Sequence, residues 1–153
     1  MIKNNIISLI VHMLVSVLIW FTAGFITDLL IKLSVSETIT NVIYIVTSIL
    51  GWFLYYKIGS KLLVSQKNVL KDFLSVSSVL IAALLIWCYC FFFTDGGWAW
   101  MILGIYNASN YPISSVLITN EVNLIWVSFI PSILLWISMI NRKHQKENFT
   151  TNH

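Results

Sequence analysis

At 153 residues, 58% of them apolar and only 10% charged, with a mean hydropathy of +0.85, the chain carries too little polar surface to cover a water-soluble globule. Its formal net charge of +3 comes from cations clustered between apolar runs, which speaks for membrane topology and against a nucleic-acid partner. Two cysteines, Cys88 and Cys90, sit in one apolar run and supply no disulfide framework.

The first uncharged run, residues 4–27, exceeds the roughly 7–15 residues of a signal-peptide core. A retained transmembrane helix is therefore expected over about residues 5–27. His12 lies inside it, and an ionisable group within a span is a candidate intramembrane polar site, because such groups often mark proton or ligand paths. No Asp, Glu, Lys or second His stands between the ends of any predicted span to act with it. A ring hydrogen-bonded to a neighbouring Ser, Thr or carbonyl is the simpler expectation.

The second span is expected over about 37–57. Ser34-Val-Ser-Glu37 matches a capping box at its start. Tyr55 and Tyr56 stand where rings anchor at the headgroup boundary. The connection that follows carries Lys57 and Lys61, then Lys67 and Lys71, each pair one helical turn apart. These four lysines are candidates for contact with anionic headgroups or with a cytoplasmic partner. Gly59-Ser60-Lys61 ends like a phosphate loop but lacks the preceding glycine and a leading strand.

A third span is expected over about 72–93, with Asp72 favouring the positive end of the helix dipole. Cys88-Tyr-Cys90 cannot clamp a metal, because its thiols fall on different helix faces. Residues 96–120 are also uncharged, yet Gly-Gly opens the run, Asn107-Ala-Ser-Asn110 interrupts it, and Pro112 keeps Tyr111 out of the α region. Each apolar arm reaches at most ~14 Å as a helix, too short to cross. The expectation is an outer segment over about 95–120, interfacial or re-entrant, whose irregular backbone tolerates depth only where protein shields it. Its Trp98, Trp100, Asn107 and Asn110 are candidate lipid or partner contacts. A fourth span over about 121–141 carries Pro131, which should kink it near Ser128 and Ser132, and 142–153 forms a tail. Packing seams are expected where small residues recur: Ser16 with Gly24, Thr47 with Gly51, and Ser128 with Ser132.

Charge then orients the chain. With four spans, Lys3, Lys57, Lys61, Lys67, Lys71, Arg142, Lys143 and Lys146 share one side, against Lys32 alone on the other. Cations stay on the cytoplasmic side, so both termini are expected there. The carboxylates Asp28, Glu37, Asp95 and Glu121 then fall on the outer face without a shared motif.

The expected protein is all-α: a single-domain integral membrane four-helix bundle over residues 1–153, with an interfacial or re-entrant outer segment between the third and fourth helices. No nucleophile motif or metal-binding motif is present, so neither an enzyme nor a cofactor is expected. A non-enzymatic accessory or interaction protein of a bacterial plasma membrane fits best, such as a partner subunit or an immunity-type factor. Its partners would be anionic lipid headgroups and another membrane protein or a second copy of itself. The alternative is a small oligomeric transporter or channel component, with His12, Tyr44, Tyr89 and the Pro131 kink as lining features.

Overall fold

The computed structural model describes residues 1–66, 68–94, 98–117 and 120–151, with side chains described except at 111, 117, 121 and 143–151. Within those limits every regular element is a helix: α1 (Ile2–Lys32), α2 (Glu37–Leu62), α3 (Val69–Leu74), α4 (Ser78–Phe93), α5 (Trp98–Tyr106), α6 (Tyr111–Leu117), α7 (Leu124–Val127) and α8 (Phe129–Thr151). Single 3-10 turns fill Ala108–Asn110 and Glu121–Asn123. Among the described residues, three helical stretches are long and apolar enough to cross a bilayer: Ile2–Lys32, Glu37–Leu62 and Leu124–Arg142. The 16 residues of α4 give ~24 Å of helix, less than the ~30 Å of a hydrocarbon core.

The helices are sorted by polarity in the sense that lipid requires. Ile6, Ile10, Leu14, Leu18 and Phe21 of α1 are exposed, whereas Asn4, Ser8, His12 and Ser16, spaced by four, are buried. Hydrocarbon cannot satisfy a polar group, so the polar stripe turns inward and hydrogen-bonds to other helices. On α2 the buried stripe is Thr47, Gly51, Tyr55 and Gly59, again spaced by four.

The stretch read as the third span is two helices. Between α3 and α4 the backbone bond from Ser78 N–H to the Leu74 carbonyl is opened, and the Asn5 amide of α1 takes both ends: Nδ2 donates to Leu74 O at 3.1 Å, and Oδ1 accepts from Ser78 N at 3.0 Å. Hydroxyls also hold the interruption, since Ser75, Ser77 and Ser78 donate to the carbonyls of Asp72, Leu74 and Asn5. Asp72 lies in the first turn of a helix, as expected, but does not begin it. α3 starts at Val69, capped by Asn68, whose side chain accepts from Leu70 N and Lys71 N. Asp72 is buried and fastens the preceding loop, accepting from Ser65 Oγ at 2.8 Å and from the Gln66 N–H. Asn4 clamps the same loop with Nδ2 on the Val64 carbonyl at 2.7 Å.

The capping box expected before α2 does not form. Ser34 adopts a left-handed φ of 51° immediately past the end of α1, and the bonds Ser34 N to Ile31 O and Val35 N to Leu30 O close a Schellman turn. Ser36 therefore becomes the N-cap residue of α2, without a side-chain cap bond. Pro131 acts as expected: the helix is interrupted at Ser128 between α7 and α8. Proline removes the N–H that would have reached the Val127 carbonyl, and Asn110 Nδ2 supplies a donor there at 3.1 Å.

Close packing is concentrated where α2 meets α8. A Cβ added at Gly59 would stand 2.5 Å from Ser138 Oγ and 2.9 Å from Leu135 Cδ2. The Arg142 guanidinium extends the same seam, donating to the carbonyls of Lys61 and Leu63 at the end of α2. A Cβ at Gly51 would stand 3.1 Å from Ile19 Cγ1, whereas one at Gly24 would meet nothing within 4 Å, so Gly24 marks no seam. Gly59→Ala should lower the stability of the chain in detergent micelles by about 1–3 kcal/mol, the usual cost of overpacking. Denaturant titration of a Gly59→Ala, Ser138→Ala double variant should recover part of that loss, because the nearest clashing atom is then gone while Leu135 Cδ2 remains.

Candidate functional site

Residues 98–117 enter the helix assembly and return. α5 runs back along α4, with the Cys90 thiol donating to Ala99 O at 3.1 Å near its start and the Tyr106 hydroxyl donating to Val79 O at 2.7 Å near its end. The turn at 107–110 is buried throughout, and Asn110 and Ser109 have no accessible surface. α6 then climbs α2, with Ile113 N donating to Ser48 Oγ at 2.9 Å. The break falls at 107–110, and the short turn lets the chain reverse within the protein; against the expectation from sequence, Tyr111 is helical and Pro112 sits in the first turn of α6, where a missing N–H is tolerated. Its irregular backbone is screened from lipid by α1 and α2.

A chain of polar side chains meets this turn. His12 Nδ1 lies 2.8 Å from the Tyr55 hydroxyl, which donates to Ser109 Oγ, also at 2.8 Å. A phenol has one proton, so with that proton on Ser109 the Nδ1–H of His12 is the donor to Tyr55. The imidazole is packed between two rings, its centroid 5.9 Å from that of Tyr55 and 4.4 Å from that of Tyr106. Ser16 Oγ donates to the Tyr106 carbonyl at 3.2 Å, and Trp52 Nε1 donates to Asn110 Oδ1 at 2.8 Å. Among the described residues, two buried side-chain atoms have no hydrogen-bond partner, His12 Nε2 and Asn107 Oδ1. His12, Tyr55, Ser109 and Asn110 each have zero accessible surface, so no water-sized space adjoins them.

Chemically this cluster joins helices. It contains no carboxylate, and among the described residues no group of three or more His, Cys, Asp or Glu side chains gathers to hold a metal ion.

The residues singled out from sequence divide between surface and interior. Lys57, Lys61 and Lys71 are exposed. Lys57 and Lys61 stand on α2, with Lys57 Nζ 5.3 Å from the centre of the Phe53 ring, and Lys71 belongs to α3. Lys67 lies outside the described residues. Trp98 is 83% exposed. Trp100, Asn107 and Asn110 are not on a contact surface: Trp100 packs against Cys90 and Leu103, and both asparagines are buried in the turn. Tyr55 is no boundary ring, because α2 continues to Leu62 and places it inside the assembly. Asn4, Asn5, Trp52 and Ser109 were not recognised from sequence. For Asn4 the signal was present in the polar four-residue spacing with Ser8, His12 and Ser16. No protein family, no curated protein and no solved structure was found to match the chain.

Proposed function

We propose that the chain is a four-span, non-enzymatic accessory protein of a bacterial plasma membrane, with both termini cytoplasmic, acting as a partner subunit or an immunity-type factor. In this topology α1, α2, α3 with α4, and α7 with α8 are the four passes, and 98–117 is a re-entrant hairpin entering from the outside. The single observation that carries the reading is the closed polar centre: His12, Tyr55, Ser109 and Asn110 have no accessible surface, so His12 serves to fasten the hairpin and not to line a transport path. A pore or carrier would need water or solute beside them. Large exposed rings such as Trp98 and Phe93 leave apolar surface for lipid or for a membrane partner.

Purification of the tagged chain in mild detergent should recover a stoichiometric membrane protein. Recovery of the chain alone, together with solute flux in liposomes, would overturn the reading. The topology is tested by an impermeant thiol reagent on intact cells, in a background with Cys88 and Cys90 replaced by serine. Trp98→Cys should label, and Asn107→Cys should label only after the protein is unfolded, since position 107 is 2% exposed. Labelling of both in intact cells would remove the buried hairpin. Labelling of neither would place the segment on the other side.

A further inference from the structure

Above the buried turn, α1, α2 and α6 enclose a cavity of about 220 Å³, bordered by Trp20, Gly24, Thr27, Asp28, Tyr44 and Pro112. It is smaller than the roughly 300–1,000 Å³ of sites for drug-sized ligands. We infer that this cavity is a binding site for a small organic ammonium ion, of the size of choline.

The hydrogen-bond bookkeeping of its wall sets the sign of the ligand. Thr27 Oγ1 donates its one proton to Ala23 O at 2.8 Å. With that proton on Ala23 O, tyrosine is the donor in the 2.8 Å contact between Thr27 Oγ1 and the Tyr44 hydroxyl, and both oxygens then offer lone pairs. Pro112 has no N–H to offer. Asp28 is exposed at the rim and, ionised, only accepts; it forms no ion pair among the described residues. Apart from the Trp20 indole N–H, every polar side-chain group at the cavity is thus an acceptor, which repels an anion and suits a donor or a cation.

The apolar part of the wall narrows the class further. Calcium takes 6–8 oxygen ligands and magnesium near-octahedral oxygen coordination, which one carboxylate and two hydroxyls do not supply. Two aromatic rings beside a carboxylate do suit an alkylated ammonium, whose diffuse charge is drawn to ring faces and whose methyl groups tolerate an apolar wall. A Cβ at Gly24 would meet nothing within 4 Å, so the missing side chain leaves the space open instead of closing a helix contact. The outward direction of the opening follows from the topology proposed above. The binding does not depend on it, nor on the accessory role.

The test is calorimetric titration of the full chain in phosphatidylglycerol nanodiscs with choline and with its uncharged carbon isostere, dimethylbutanol. Saturable choline binding is expected, weakened about tenfold or more by Asp28→Asn and in the isostere, and lost in Gly24→Leu, which fills the cavity. Unchanged thermal unfolding of Asp28→Asn keeps the comparison valid if Gly24→Leu fails to fold. Repeating the titration with phosphatidylcholine in the disc separates the sources: competition identifies a lipid headgroup as an alternative occupant, and its absence identifies a free solute. No saturable choline binding, equal binding of the isostere, or wild-type affinity in Asp28→Asn would each overturn the assignment.

Discussion

Tyr55→Ala should destabilise the chain in detergent micelles by about 3–5 kcal/mol, and Tyr55→Phe by only ~1 kcal/mol. Tyr55 has no accessible surface and packs in the same cluster as Val11, Val15, Leu63 and Leu135, so truncation to alanine removes a ring from the meeting point of α1, α2 and α8. In a micelle the separated helices remain in an apolar solvent, so little of this cost is water transfer. It is lost dispersion contact, which a void cannot replace. The hydroxyl is a smaller term. Its loss leaves His12 Nδ1 and Ser109 Oγ without their shared partner, and interhelical hydrogen bonds in membranes contribute roughly 0.6–2 kcal/mol because the separated state finds other partners. Volume should therefore outweigh the hydrogen bond. Equilibrium unfolding by denaturing detergent reads both numbers, and equal losses in the two variants would show that polar linkage holds the centre.

What could be read from sequence was mostly local. Pro131 interrupts its helix at Ser128 because the missing N–H acts within one turn, whatever the rest of the chain does. The Asn107 to Asn110 stretch likewise announces the turn that parts α5 from α6, whereas Gly96 and Gly97 lie outside the described residues. Partners distant in sequence were not legible. Nothing near Ser78 reveals that its N–H bonds to Asn5, or that the Val127 carbonyl waits for Asn110. Charge placement also misled about depth. The span expected from charge ends near Lys57, but lysine keeps its ammonium exposed from a helix that runs on to Leu62, and Tyr55 is buried within it. One signal went unread: in a bilayer, polarity marks the inner face, so Asn4, Ser8, His12 and Ser16 at four-residue spacing already outlined the buried side of α1.

Asn110 and Pro131 should prove energetically coupled. Asn110→Ala removes the acceptor for Trp52 Nε1 and the donor to the Val127 carbonyl at a site with no accessible surface, and is expected to cost about 2–4 kcal/mol. The Val127 carbonyl depends on a side chain only because residue 131 is a proline. Pro131→Ala restores a backbone N–H four residues on, able to reach that carbonyl and to join α7 and α8 into one helix. In the Pro131→Ala background, Asn110→Ala then costs only the Trp52 bond, so the double variant should be more stable than the sum of the single losses by ~1 kcal/mol or more. Trp52→Phe should show no such coupling to Pro131→Ala, since its partner is the asparagine oxygen and not the kink. Strict additivity of Asn110→Ala and Pro131→Ala would mean that the kink and the hairpin tip are merely adjacent. Coupling would establish that the asparagine of the buried turn stands in for the helical hydrogen bond that the proline removes.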